Sequence, residues 1–385
     1  SCTHRGVEEK TMTIFLLLLG AVLLQFLAEW FYRKNWDRHL ELDVKFQEQP
    51  VHEGERAYLT ETIENRKWLL LPMLQAAFRV HRNLFFEEEE NTSISDYTYK
   101  RDIFSVLFYQ KIQREIPFLA GKRGYYEIEQ AEVLTRGLLM NREMYLTVPV
   151  STHLYVYPRT IPFSGMEIPF KKLMGQVLVR QRMYEDPFSF RGLREYRPGD
   201  PMNKINWKAS AKEAGLMVNL LDSTSSAQVL IYLDVEDETI WKYGEIHEAG
   251  ISLAVSLAEQ LLQRGIATGL VTNGRDHITE TPIAVLPGTG RGQLVKLYQN
   301  LARLDLELPV GKFPELLSRQ RRLLSEGQGI PVLISKNQGR SLFTEMEALA
   351  KIGGSAMWIS TLYKDMEWKL PSSSCMEILR WEVPR

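Results

Sequence analysis

One stretch decides more than any other what this chain can fold into. Met12 to Ala28, MTIFLLLLGAVLLQFLA, is apolar apart from Thr13 and Gln25. Extended through Trp30, Phe31 and Tyr32 it reaches about 20 residues, which at 1.5 Å per residue crosses a hydrocarbon layer of about 30 Å. Trp30 and Tyr32 stand where aromatic side chains line a membrane–water boundary. Arg33, Lys34 and Arg38 follow at once, whereas Arg5 and Lys10 upstream are offset by Glu8 and Glu9. With translation starting at Met12, the upstream side carries no charged side chain at all. On either start the positive excess follows the span. That predicts a single-pass cell-membrane protein with the bulk of the chain in the cytoplasm. The alternatives are a buried core helix and a cleaved signal peptide. The latter calls for a basic n-region and a small-x-small cleavage site, and neither is clear here.

The 385 residues suggest two or three domains at the usual ~100–200 residues each. Lys+Arg 47 against Asp+Glu 48 leaves a formal charge of −1, which speaks against a nucleic-acid-binding chain. Cys2 and Cys375 lie at opposite ends and form no CxxC pair, and the seven His residues show no HExxH or paired metal spacing.

After the span the pattern changes to short alternating segments. Leu40 to Phe46 alternates with period two, as a half-buried strand does, and Ala57–Ile63, Leu74–Val80, Tyr125–Val133 and Leu154–Tyr157 read similarly. They predict a β-rich, sandwich-like domain over 34–157, following a tail and transmembrane helix over 1–33. The acidic run Glu87–Glu90 reads as a solvated loop. Residues 158–186, with two Ile-Pro pairs, read as a linker, and 187–226 form a segment of distinctive composition.

From 227 to 385 continuous apolar runs alternate with helical stripes. Val229–Leu233, Ala267–Val271 (closed by Asn273-Gly274), Pro331–Ser335 and Ala356–Ser360 read as strands. Glu245–Arg264, Gln293–Leu304, Pro314–Leu324 and Leu342–Ile352 read as helices. The fold class expected is therefore α/β plus all-β, with a doubly wound, mostly parallel α/β domain at the end.

Ligands of such sheets bind at the carboxyl ends of strands. The first such end reads Asp234-Val235-Glu236-Asp237-Glu238. In von Willebrand factor A (vWA) domains this position carries Asp-x-Ser-x-Ser and holds Mg²⁺ through the acid and two hydroxyls. Here Glu236 and Glu238 stand at the hydroxyl positions, and the later strand end reads Ser335-Lys336-Asn337, with a lysine that repels a cation. No cofactor is expected; a divalent metal such as Mg²⁺ at Asp234, Glu236 and Glu238 is the alternative, in a metal-dependent binder or enzyme. Gly288-Thr289-Gly290-Arg291-Gly292 lacks the spacing of a phosphate loop and reads as a turn before a helix. Ser223-Thr224-Ser225-Ser226 has no nearby base and reads as a loop. No catalytic set is identified.

Between 180 and 212 eight Lys/Arg stand against four acids, with Tyr196 and Trp207 interleaved. Such a patch suits an acidic partner, a phosphate or an anionic membrane surface. It equally suits a structural Arg–Asp turn.

Phe190 to Asp200, FRGLREYRPGD, followed by Ile205, Trp207-Lys208-Ala209-Ser210 and Leu216-Met217-Val218, resembles the DUF58 family of bacterial and archaeal membrane proteins. Lys122-Arg123-Gly124-Tyr125-Tyr126 is similar to a stretch of that family's β-rich part. The resemblance implies an N-terminal membrane segment, a β-rich domain, the signature and a vWA-like domain. It also implies a non-enzymatic scaffold or adaptor that binds a protein partner such as a MoxR-type AAA+ ATPase. Arg194, Tyr196, Arg197, Asp200, Trp207 and Lys208 are its candidate binding residues. Two departures stand out: members often carry two membrane helices where one is found here, and the ion-binding motif is degraded. An envelope structural protein with its body outside the cell is the third reading.

Overall fold

The computed structural model describes residues 2–86, 97–137, 142–183, 185–198, 200–213, 215–223, 228–323 and 329–383. They form two compact units, 1–157 and 158–385.

The first unit opens with helix α1 (Cys2–Asn35), whose segment Thr13–Asn35 contains an 18-residue window of mean hydropathy 2.2 and exposes its large apolar side chains from Ile14 to Phe31. This segment is long and apolar enough to cross a membrane. Its last turns join the unit's core, where Tyr32 and Trp36 are buried. Nine strands follow: β1 (Leu40–Phe46), β2 (Val51–His52), β3 (Arg56–Asn65), β4 (Leu71–His81), β5 (Leu84–Phe86), β6 (Tyr97–Val106), β7 (Lys111–Ala120), β8 (Gly124–Arg136) and β9 (Glu143–Tyr157). They pair as two sheets, β1-β3-β7-β5 and β2-β9-β8-β4-β6. Inward residues of both sheets, among them Val44, Leu59, Phe78, Phe118 and Leu154, share one core, so the sheets form a sandwich. The alternation read from the sequence is the cause: β1 buries Leu42, Val44 and Phe46 and exposes the residues between. The run Glu87–Glu90 lies outside the described residues.

The second unit begins with a departure from expectation. Residues 158–186 are not a linker: α2 (Phe163–Met183) occupies most of them. Pro169 deprives the helix of one N–H, which ordinarily breaks it. The carbonyl of Gly165, left without that donor, accepts instead from the indole N–H of Trp381 at 2.9 Å. Met166, Phe170, Leu173 and Val177 recur every three or four residues and are buried. Arg180 closes the helix against the unit by donating to the Gly353 carbonyl at 2.6 Å.

A two-stranded antiparallel ribbon follows, β10 (Glu185–Glu195) with β11 (Met217–Ser223), and between them the short helix α3 (Trp207–Ser210). The main sheet comprises β12 (Gln228–Leu233), β13 (Ala267–Asp276), β14 (Pro282–Gly288), β15 (Leu304–Asp305), β16 (Ile330–Ser335), β17 (Met357–Leu362) and β18 (Glu377–Glu382). Its order is β14-β13-β12-β16-β17-β18, with β15 alongside β13; β13, β12, β16, β17 and β18 run parallel, and β14 and β15 pair antiparallel with β13. The helices are α4 (Gly244–Gln263), α5 (Gly290–Arg303), α6 (Phe313–Leu323) and α7 (Arg340–Gly353). Successive residues of β12 point to opposite faces. Leu233 and Ile334 face α4 at Gly250, where a Cβ would make ordinary contact with both, 3.5 Å from Ile334 and 3.7 Å from Leu233. Tyr232, Leu333 and Trp358 face the other way and share a core with Phe313 and Leu317 of α6 and Leu342 and Met346 of α7. Strands covered on both faces explain the unbroken apolar runs.

Two further expectations change. Asn273-Gly274 does not close β13, which continues to Asp276 and pairs Arg275 with Asp305. Two edge strands escape the sequence pattern: β14 carries prolines at both ends, and β18 mixes charge with apolar residues. The helical assignment of α2 has a direct consequence. Leu173→Ala should cost about 2–5 kcal/mol, while the half-exposed Leu178→Ala should stay within about 0.5 kcal/mol, read from urea unfolding of the two variants.

Candidate functional site

The signature residues fold into a frame held by its own polar groups. Arg194 and Asp200 form a two-pronged ion pair, with Nη1 to Oδ2 at 2.7 Å and Nη2 to Oδ1 at 2.6 Å. The Arg197 N–H donates to the same carboxylate at 2.8 Å, and the Asp200 N–H returns to the Arg197 carbonyl at 3.0 Å. Gly199 lies outside the described residues. The Arg194 fork, then the Arg197 N–H, hold the Asp200 carboxyl down to about 2. Tyr196 is half-buried and its N–H bonds the Leu216 carbonyl at 2.8 Å.

Asn206 then caps α3: its Oδ1 accepts from the Ala209 N–H at 2.9 Å and its Nδ2 donates to Asn219 at 2.8 Å. The Ser210 hydroxyl donates to the Asn206 carbonyl and accepts from the Met217 N–H, each at 2.8 Å. Ile205 and Val218 are the buried apolar pair of the frame. Trp207 is 63% exposed, with Lys208 and Arg197 exposed as well and Met202 nearby in sequence at 64%. Of the six candidate binding residues, Arg194 and Asp200 therefore serve each other, and Trp207, Lys208 and Arg197 are the ones presented outward. The wider basic run is not one surface. Arg180 is buried on Gly353, and the side chains of Arg182 and Arg191 lie outside the described ones.

The second candidate lies where β12 ends. Asp234 is buried, and both its oxygens are engaged. Oδ1 accepts from the Glu236 N–H at 2.9 Å and Asn273 Nδ2 at 3.2 Å; Oδ2 accepts from the Ser335 hydroxyl at 2.7 Å and Asn337 Nδ2 at 2.9 Å. Glu236 does not join it, because its side chain accepts from the Phe313 N–H at 2.9 Å and so holds the start of α6. Glu238 lies instead near Gly339, before α7, where a Cβ would meet its carboxylate at 3.1 Å. The side chains of the three acids singled out from the sequence thus turn to different partners, although all three sit in the loop after β12. Among the described residues no group of three or more His, Cys, Asp or Glu is placed to hold a metal ion.

Asp237 belongs to a satellite cluster that the sequence did not reveal. Lys336 Nζ and His247 Nε2 each lie 3.0 Å from its Oδ1, and Lys336 also sits 5.0 Å from the centre of the Tyr243 ring. Lys336, read as a repeller of cations, is itself an ion-pair partner. Burial pushes the Asp237 carboxyl up, but the bonds from His247 and Lys336 outweigh it and leave it below its usual range. Burial holds the His247 imidazole below its usual value. Burial likewise lifts the Asp234 carboxyl to about 6, against the pull of its hydrogen bonds.

The glycine turn at 288–292 has a packing role. The Gln293 side chain at the start of α5 donates to the Thr268 and Leu286 carbonyls at 2.8 and 2.7 Å. A Cβ on Gly288 would lie 2.8 Å from that side chain. In the first unit, Gly124 lets the Tyr126 ring fold back so that its hydroxyl bonds the Lys122 carbonyl at 2.8 Å.

That unit also buries a carboxylate the sequence reading passed over. Glu61 lies in step with Ala57, Leu59 and Ile63, so the same alternation that predicts the strand points it into the core. Burial, then the Asp102 charge, lift it to about 8, with Arg114 and Lys100 opposing. Arg114 binds Asp102 at 2.7 Å.

Comparison with known proteins places the signature. Residues 192–380 match the model of DUF58, a protein family of unknown function. The DUF58 match covers both the Arg194–Asp200 frame and the Asp234 strand end. Among curated proteins, the uncharacterized protein YeaD of Bacillus subtilis is 22% identical over 238 residues, 59% of this chain. The aligned part spans about half of YeaD, 54% of its length. Among solved structures, a CARDB domain from Pyrococcus furiosus is 15% identical and covers 30% of this chain and 90% of its own, with a TM-score of 0.19. A cohesin from Archaeoglobus fulgidus is 10% identical and covers 30% and 91%, with a TM-score of 0.21.

Two expectations follow. Asp234→Asn sets amide donors against the amides of Asn273 and Asn337 and should destabilise the second unit by about 1–3 kcal/mol. The native Asp234 binds its proton up to about pH 6, against an ordinary value of 3.8, so its contribution to stability falls as pH rises between the two. The variant lacks this slope, and its deficit measured in urea should therefore shrink from pH 4 to pH 7. Glu61→Gln mimics the neutral acid. Glu61 contributes stability that is full below pH 4.5 and lost as pH rises through about 8. The glutamine variant should therefore gain on the wild type at pH 9 and match it near pH 5 in thermal unfolding.

Proposed function

We propose that this chain is a membrane-anchored, non-enzymatic scaffold whose vWA-like second unit lies in the cytoplasm and binds a protein partner, a MoxR-type AAA+ ATPase. The observation that carries this reading is the exposure of Trp207. It stands on a capped helix, beside Lys208, on a frame whose polar groups are satisfied from within. A large aromatic beside a cation, held out on a rigid support, has the composition of an interface anchor. Arg33 and Lys34 at the end of α1 favour the cytoplasmic orientation. The vWA-like reading draws on the parallel β12, β13, β16 and β17 with helices on both faces and a buried aspartate at the end of β12. The saturation of Asp234 by four donors, and the separate duties of Glu236 and Glu238, weigh against the alternative of a Mg²⁺-dependent binder or enzyme at this strand end.

A pull-down with the detergent-solubilised full chain tests the proposal. The wild type should retain a AAA+ ATPase. Trp207→Ala with Lys208→Glu should weaken retention by about 30-fold or more, the loss expected when a central interface tryptophan worth about 2 kcal/mol is removed. Equal retention by wild type and variant would remove the surface from the proposal, and capture of no ATPase would remove the partner. A reporter fused after Arg385 that is active only outside the cytoplasm would overturn the orientation.

A further inference from the structure

We infer that the end of the β-sandwich from which α1 emerges carries a second membrane contact, in which Trp68, Phe108 and Tyr109 dip into the lipid head-group layer of the membrane that α1 crosses. The inference rests on the membrane reading of α1.

Two turns form this end, one between β3 and β4 and the other between β6 and β7. Trp68 is 75% exposed and Tyr109 70%, with Leu107 and Phe108 exposed beside them. The Trp68 and Phe108 rings stack on each other with centroids 5.5 Å apart and planes 18° apart. So the patch is an ordered aromatic surface, not scattered apolar residues. Tyr109 is held at φ 49°, a backbone conformation that side chains other than glycine seldom adopt. The turn presents a tyrosine to solvent at a position where glycine would be at ease.

Both turns are tied to each other and to the residues that follow α1. Buried Asn65 donates through Nδ2 to the Leu69 and Leu107 carbonyls, each at 2.8 Å, so one side chain holds both turns. The Arg66 N–H bonds the His39 carbonyl at 2.9 Å, and Lys67 Nζ reaches the Trp36 carbonyl and, at 2.7 Å, the Arg38 carbonyl. From Phe31 to the helix end at Asn35 is about 6 Å at 1.5 Å per residue. The head-group region on each side of a bilayer is about 5–8 Å thick. A patch fixed to Trp36, Arg38 and His39 therefore lies at head-group depth when the span ends near Phe31. Tryptophan and tyrosine are the residues enriched there, because a ring with an apolar body and a polar edge suits that boundary. Trp30 and Phe31 are exposed on α1 at the same level, with the Lys34 ammonium 5.1 Å from the Trp30 ring. The occupant with the matching chemistry is the lipid interface, continuous with the span itself.

The test uses the full chain with Cys2 and Cys375 replaced by serine, reconstituted into phosphatidylcholine–phosphatidylglycerol vesicles. Single cysteines at Trp68→Cys, Tyr109→Cys, Leu16→Cys and Tyr58→Cys carry an environment-sensitive fluorophore, and quenching by lipids spin-labelled at shallow or deep positions is read. Position 16 reports the span. Position 58, seven residues along β3 from Asn65 and so about 23 Å away, is the control. The inference expects deep quenching at 16, shallow quenching with a shift to shorter wavelength at 68 and 109, and none at 58. Quenching at 16 without quenching at 68 and 109 overturns the second contact and leaves the span standing. Shielding of 68 and 109 from aqueous iodide without lipid quenching assigns the patch to a second copy of the chain, which overturns it too. Quenching at 58 as well as at 68 would mean that the sandwich adsorbs broadside, against the end-on contact. No quenching at 16 removes the membrane reading, and the inference with it.

Discussion

The carboxylate of Asp234 holds together the carboxyl end of the parallel strands in the second unit. It ends β12, and its four acceptor positions receive donors from its own loop, from β13 through Asn273 and from the end of β16 through Ser335 and Asn337. Three parallel strands are thereby tied at the edge where an open α/β sheet presents ligand-binding loops. The same amides reach onward, Asn273 to the Val235 N–H and the Gly311 carbonyl and Asn337 to the Glu236 carbonyl. A buried carboxylate without donors would be costly, and one fully satisfied fixes geometry instead. The helices that start from this edge inherit that geometry. Glu236 sets the beginning of α6, and Glu238 lies against the beginning of α7.

In the first unit the corresponding constraint is the exit of α1. The helix carries an apolar stretch long enough to cross a membrane, with the large apolar side chains from Ile14 to Phe31 exposed. Its final turns are different in kind, because Tyr32 and Trp36 are built into the sandwich core. The helix is therefore an extension of the domain and not a tether hung from it. The continuous helix from the apolar segment into the core fixes which end of the sandwich adjoins that segment.

Much of this architecture was legible in the sequence because two periodicities suffice for it. Period two gave β1 to its terminal residues, and the doubly covered strands β12 and β16 read as unbroken apolar runs. What escaped had a local rule overridden by a distant partner. Pro169 argued for a linker until Trp381, 212 residues further on, supplied the donor that the Gly165 carbonyl lacked. The acids after β12 read as one cluster because they are neighbours in sequence. Only the fold shows Asp234 turned inward, Glu236 toward α6 and Asp237 toward His247 and Lys336. Glu61 is readable in principle, since its parity in β3 matches that of the core residues, but strand alternation alone does not single out a charged residue on the inward face.

The same distinction separates structure from recognition in the signature segment. Its most typical residues, Arg194 and Asp200, are saturated by one another, so neither has a free fork or carboxylate with which to bind anything else. A partner meeting this face finds what the frame leaves over: an indole, an ammonium and a guanidinium on a short helix and turn whose backbone is already fixed. Fixing them in advance lowers the ordering cost of association, so a small exposed set can anchor a contact. Composition alone gave all six residues equal weight. Hydrogen-bond saturation divides them into the pair that builds the surface and the residues that the surface displays, and the displayed residues are the ones through which a partner would discriminate.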